Sequence, residues 1–380
     1  MNVAAVLMEI LKSTGVRYLF GNPGTTELPF LDALPDSSLE YVLGLQEATA
    51  VAAADGYAQA SGQVGIVNVH VAPGLANSLS ILHNAARSKS PVVVTAGQQD
   101  TRFLMHEPIL AADLARMAEQ FTKWSHEVRR PEDAPVALRR ALKVALTPPT
   151  GPVFLSMPMD LMGPAVDDTG RAPTPVAAKS RPEPGVILHA AELLAGAANP
   201  IIIAGDGVAR AGAMAELTAL AELLGARVHG EPVYRRTSFP GNHALWRGGL
   251  FPSPAGVRRA LEECDALLIV GANVFTWFLH TEGTPFPRGL RVVQIDDDPW
   301  EIGRTSPVAL GIAADPKAAL AELTGALRNK VTEKDRAAAA ARVDKIGAAR
   351  GEMVKRVCAA ARSEAERVPI GQAHLMHTLA

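Results

Sequence analysis

Cysteine is nearly absent. The 380 residues hold two, Cys264 and Cys358, far apart and without metal-site spacing. That excludes a disulfide framework and points to a reducing compartment. Long apolar runs are missing too. Apolar residues make up 48% of the chain, yet no stretch reaches the roughly 18–20 residues needed to cross a bilayer. The opening MNVAAVLMEILKSTG is broken by Glu9 and Lys12, which fits an amphipathic helix and not a signal peptide. There is no basic surplus: the net charge is −2, which argues against nucleic-acid binding. No complete GxGxxG dinucleotide fingerprint or P-loop occurs. Gly205-Asp206-Gly207 could begin a diphosphate–metal site, but no Asn-Asn pair follows it. Because Mg²⁺ wants near-octahedral oxygen coordination, the triplet reads as a strand-end turn. A cytoplasmic protein with no membrane and no nucleic-acid partner is expected, long enough for two or three domains.

What is present is a short-range alternation of helix and strand signals. Residues 1–162 carry continuous apolar strands, such as Gly65–Val69 and Pro91–Ala96, separated by helices such as Val3–Ser13 and Glu47–Ser61. That pattern means a parallel sheet covered on both faces. Prolines 164, 173, 175, 182 and 184 mark residues 163–184 as a linker. A second α/β unit spans 185–330, with strands at Pro200–Ala204, Ala266–Val270, Leu290–Ile295 and Val308–Ile312. The fold class is therefore α/β, two doubly wound parallel-sheet domains. Residues 331–368 are rich in Ala, Arg, Lys and Glu and read as a helical linker. A fresh apolar periodicity at 369–380 reads as the start of a further, truncated domain.

The organising stretch is Leu45–Asn77, LQEATAVAAADGYAQASGQVGIVNVHVAPGLAN. Glu47 opens a helix of small residues whose face lets a backbone or a flat ligand approach closely. A first-turn glutamate is also what the helix dipole favours. His70 stands at the expected carboxyl end of a strand, where an imidazole serves as acid or base or as a satisfied core residue. Pro73-Gly74 then turns the chain into a helix near Asn77. Upstream, Gly21–Glu27, GNPGTTE, is a strand-to-helix turn in which Thr25 or Thr26 caps the helix. In open sheets of this kind the carboxyl edge is where ligands bind.

The segments FGNPGTTELPFLDAL, LQEATAVAAADGYAQASG, VNVHVAPGLANSL, SPVVVTAGQQD and GPVFLSMPMD together resemble the pyrimidine-binding domain of the thiamine-diphosphate-dependent enzymes. Within that family the likeness is greatest to the benzoylformate decarboxylases. The resemblance is dense over 1–160 and weaker to about residue 330. It implies thiamine diphosphate as cofactor, with Mg²⁺ held through a third domain that the sequence does not contain. It implies a 2-oxo acid as substrate, attack of the cofactor ylide on the keto carbon, and loss of carbon dioxide. Glu47 matches the glutamate that hydrogen-bonds the aminopyrimidine ring, and His70 the histidine that handles protons. Thr25 falls where a serine stands beside the substrate carboxylate. Pro23, Gly24, Pro73 and Asn77 would line the pyrimidine or the adjacent subunit, and Leu110 the substrate pocket. The family builds its active sites between subunits, so a homodimer or homotetramer is implied.

Two departures stand out. The decarboxylases have a second histidine after a central-domain strand; here the segment is GANVFTWFLH, and Phe278 takes that position with His280 two residues on. The Mg²⁺ motif is also absent. Two other readings stay open: an acetolactate-synthase-like carboligase, whose relatives hold FAD in the central domain and usually lack the histidine at position 70, and a non-catalytic binding or regulatory module.

Overall fold

The computed structural model describes residues 1–379, and the chain forms two compact units, Met1–Ala178 and Lys179–Ala380. The first contains, in chain order, α1 (Val3–Ser13), β1 (Tyr18–Asn22), α2 (Leu28–Leu31), β2 (Glu40–Leu43), α3 (Glu47–Ser61) and β3 (Gly65–Val69). There follow α4 (Val71–Arg87), β4 (Val92–Gln98), α5 (Leu114–Glu119), β5 (Ser125–Glu127), α6 (Asp133–Leu146) and β6 (Val153–Pro158). The six strands are parallel, in the order β2-β1-β3-β4-β6-β5. The central strands β3, β4 and β6 are buried along their whole length, as expected of strands covered on both faces.

Chain order runs outward in opposite directions from β1 and β3, which pair with Asn22 opposite Val69. Their carboxyl ends are the switch point at which this architecture opens a crevice. Helix α3 starts at Glu47, with the Gln46 side chain accepting from the Thr49 amide, and stops at Gly62 in the left-handed conformation. Helix α4 begins at Val71, so Pro73 and Gly74 lie in its first turn and not in a turn ahead of it. Proline is tolerated there because first-turn amides have no intrahelical acceptor. The helix after GNPGTTE is one turn long, and the residue in its cap position, Glu27, makes no capping bond. The Thr25 or Thr26 cap expected from sequence is not formed. β5 begins only after Trp124, and Phe121 packs on the core that α5 also lines.

The second unit contains α7 (Pro184–Leu194), β7 (Pro200–Ala204), α8 (Asp206–Arg210), α9 (Met214–Leu224), β8 (Arg227–Gly230), β9 (Trp246–Gly249) and α10 (Pro254–Ala260). It continues with β10 (Ala266–Val270), β11 (Arg291–Asp296), β12 (Leu310–Ala313), α11 (Pro316–Lys330), α12 (Glu333–Ser363) and α13 (Gln372–Leu379). Its strands are also parallel, ordered β12-β11-β10-β7-β8-β9, with the switch point between β7 and β10. Gly205-Asp206-Gly207, expected to be a turn, begins the short helix α8 with Asp206 buried.

Candidate active site

Two clusters form at the carboxyl edge of the first sheet. The first is built on Glu27, whose side chain is fully buried. Its Oε2 accepts from the Gly24 amide at 2.8 Å and lies 2.7 Å from His70 Nδ1. Its Oε1 accepts from the Gly97 amide at 2.8 Å, the Thr26 hydroxyl at 2.8 Å and the Val71 amide at 3.4 Å. The turn after β1, the start of α4 and the end of β4 therefore converge on one carboxylate. Five donors thus surround one buried carboxyl group, which ties the three segments together.

The backbone is shaped to fit. A side chain on Gly97 would run into Glu27 Oε1, and one on Gly24 would run into the His70 ring. Val71, the first residue of α4, holds a positive φ of 35°, a conformation that costs energy for a β-branched residue and is retained where the surroundings enforce it.

The carboxylate places the imidazole proton on Nδ1, because an acceptor at hydrogen-bond distance selects the tautomer. In the neutral ring Nε2 then carries the lone pair. Thr26 Oγ1 also lies 3.2 Å from Nδ1, so the ring is held from two sides. The His70 side chain keeps a quarter of its surface accessible.

The second cluster is Glu47 and Asn77. Asn77 Nδ2 donates to Glu47 Oε2 at 3.0 Å, which joins the first turn of α3 to α4. A Cβ on Gly74 would lie 3.4 Å from Glu47 Oε1, so the first turn of α4 packs directly against the carboxylate. Glu47 is half-buried, and Pro73, Ala76 and Asn77 are exposed. Leu45, just ahead of the helix, is 92% exposed.

The remaining expected positions are dispersed. Pro23 and Gly24 are half-buried in the turn after β1, and Thr25 is exposed on it. The hydroxyl that reaches His70 and Glu27 belongs to the adjacent Thr26, which is 4% exposed. Leu110 lies in the loop between β4 and α5, with φ at 71°. Phe278 and His280 belong to the second unit. Phe278 is 71% exposed, and His280 Nε2 stands 3.6 Å from Glu282 on the surface. Sequence reading took Thr26 only as a possible helix cap and Glu27 only as the end of the turn, and gave neither a place beside His70. The one signal was an acidic residue at the head of a helix too short to need it.

Among the described residues, no group of three His, Cys, Asp or Glu is placed to hold a metal ion, and no helix is long and apolar enough to cross a membrane.

The family model for the thiamine pyrophosphate (thiamine diphosphate) enzyme N-terminal TPP binding domain matches residues 1–117, and that for the central domain of the same enzymes matches 187–323. The chain belongs to the thiamine pyrophosphate enzyme family. It is 38% identical over 310 residues to the benzoylformate decarboxylase of Pseudomonas aeruginosa, covering 81% of this chain and 58% of that protein. It is 32% identical to a probable acetolactate synthase large subunit of Methanocaldococcus jannaschii, covering 86% of this chain and 56% of that one. Among solved structures, the benzoylformate decarboxylase of Polynucleobacter necessarius matches with a TM-score of 0.82 at 35% identity, over 86% of this chain and 61% of that one. The chain thus spans a little over half the length of the curated relatives it matches.

The Glu47 carboxylate, half-buried at the carboxyl edge of the sheet and held by Asn77, has the chemistry that a partner of an aminopyrimidine ring nitrogen would need.

Proposed function

We propose that the chain supplies the first two domains of a thiamine-diphosphate-dependent 2-oxo acid decarboxylase acting on aromatic substrates of the benzoylformate type. The observation that carries this reading is the His70–Glu27 contact of 2.7 Å on the same sheet edge as the Glu47–Asn77 pair. One cluster suits the cofactor's ring and the other suits proton transfer on the substrate.

When bound, thiamine diphosphate supplies a nucleophilic carbon and an electron sink for the leaving carboxylate. Glu47 would hold the cofactor's aminopyrimidine ring by a hydrogen bond to a ring nitrogen, and Asn77 positions the carboxylate for it. His70 takes or gives a proton through Nε2 while Glu27 stabilises the imidazolium, as a carboxylate behind an imidazole does in other acid–base sites. Thr25, at the exposed lip of the turn, offers its hydroxyl to the substrate carboxylate. Pro23, Gly24 and Pro73, at the same sheet edge, would help to hold the ring. Leu110, in the loop that follows β4, contributes to substrate choice.

The diphosphate and its Mg²⁺ would be held by a further domain, for which the length of the relatives leaves room. The working form is a homodimer or homotetramer in the cytoplasm. The exposed Leu45 and the small exposed residues Ala52, Ala53, Gly56 and Ala76 beside Glu47 support coverage of this face by a second subunit.

The acetolactate-synthase-like reading is kept because relatives of that name match at about the same coverage. The deciding experiment gives the full-length protein thiamine diphosphate and Mg²⁺ and follows carbon dioxide and organic products from benzoylformate, 4-hydroxybenzoylformate, phenylpyruvate and pyruvate. Aldehyde formation from the first two supports the proposal. Acetolactate from pyruvate as the main product would replace it with the carboligase.

A further inference from the structure

Open parallel sheets take ligands at the switch point, where a glycine turn and unbonded helix-start amides receive phosphate groups. In the second unit that point lies between β7 and β10, and the chain's own groups bond one another there. Gly205 donates its amide to Val270 O at 2.9 Å and Gly207 donates to Gly271 O at 2.8 Å. The loops beyond the two strands are therefore zipped together after the sheet itself has ended. A side chain on Gly205 would run into Ala272 and Gly271, and a Cβ on Gly207 would stand 2.6 Å from Gly271 Cα. These glycines serve loop-on-loop contact, not the approach of a phosphate.

The amides that face the crevice are taken as well. Glu231, 1% exposed at the end of β8, accepts from the Asp206 amide through Oε1 at 3.0 Å and from the Asn273 amide through Oε2 at 2.8 Å. Asp206 in turn accepts from the Arg235 and Arg236 amides at 2.8 and 2.9 Å, with Arg235 Nη1 3.6 Å from its other oxygen. Ser238 closes the far side by donating to Gly205 O at 2.7 Å.

We propose that Glu231 and the Gly205/Gly207–Gly271 zipper seal this switch point from within, so that the enzyme works with no dinucleotide in its central domain. The two oxygens of Glu231 take the Asp206 and Asn273 amides that a phosphate at this point would need. This inference stands independently of the substrate assignment: the decarboxylase assay reports on one and nucleotide binding on the other.

Glu231 also gives the seal a signature. Burial, reinforced by the neighbouring Asp206 carboxylate and opposed by the two amides and Arg235, pushes its carboxyl up to about 8. A folded-state value above the unfolded one contributes stability that is lost as pH rises through the folded value.

The test uses the full-length holoenzyme. First, it is titrated with FAD and with ADP to about 1 mM, a concentration at which a millimolar site is half filled, with calorimetry as readout. The bound flavin of the purified protein is measured by absorbance after denaturation. No bound flavin and no heat of binding are expected; stoichiometric flavin, or saturable binding of either nucleotide, overturns the proposal, and this arm needs no variant. Second, urea midpoints of wild type and Glu231→Gln are compared from pH 6.5 to 8. The wild-type midpoint falls across that window, and the fall is lost in the variant. An equal fall in both would remove Glu231 from the seal.

Discussion

Glu27 is the residue on which the cluster at the first sheet edge is built. It is buried, it is bonded by three segments far apart in sequence, and it sets the tautomer of His70. Glu27→Gln keeps the shape but turns an amide NH₂ toward Gly24, Gly97 or His70, all of them donors. A buried donor facing another donor costs about 1–3 kcal/mol, and loss of an aligned acid–base partner lowers kcat by about 10²-fold or more. The expected result in the full-length enzyme is a modest fall in melting temperature, a large fall in kcat and a displaced pH–rate profile. Unchanged kcat and pH profile would mean that His70 works without its carboxylate. Sequence reading reached Glu47 and His70 because each follows a strong local pattern, a small-residue helix and a buried strand. Glu27 has no such pattern: its meaning comes from Gly97, 70 positions away, and from His70, 43 positions away.

At the level of elements, apolar periodicity placed α1, α3, β3, β7 and β10 at the ends the structure gives them. It failed for β8 and β9. β8, Arg-Val-His-Gly, buries alternate residues, and β9, Trp-Arg-Gly-Gly, is half-exposed at the sheet edge, so neither offers an apolar run. The doubly wound order was legible from the alternation of elements. The closed switch point was not, because the bonds of Glu231 with Asp206 and Asn273 belong to three separate loops.

The long helix α12 shows how an exposed, charged element is held by few contacts. Thr332 and Asp335 form a capping box at its start. Arg342 Nη2 donates to Leu224 O at 2.6 Å, and Arg350 donates to Trp246 O at 2.8 Å and to Gly241 O. Arg350→Ala removes bonds worth about 1 kcal/mol each at a part-exposed site. Hydrogen exchange is expected to quicken from about residue 343 to 363 with little change in global melting temperature. Equal exchange rates in the two proteins would show that the apolar contacts of Val343 and Ile346 hold the helix unaided.

For the molecule as a whole, acid stability follows from His229. Burial, together with the nearby Arg227 and Arg247, lowers its pKa to about 4. The unfolded chain therefore binds a proton that the folded chain refuses between that value and the ordinary 6.5. Stability from this group is complete above about pH 6.5 and is lost as pH falls toward 4. Urea midpoints from pH 4 to 7 are expected to climb more steeply in wild type than in His229→Gln. Parallel curves would refute the assignment.

The account as a whole rests on Glu47 as the partner of the cofactor's pyrimidine ring. The most direct measurement is the rate of carbon dioxide release from benzoylformate by full-length wild type and Glu47→Gln, both saturated with thiamine diphosphate and Mg²⁺, beside their melting curves. A positioned acid–base group contributes about 10²–10⁴-fold. The account predicts a loss of that order with melting temperatures that coincide. Near-normal turnover in Glu47→Gln would contradict it.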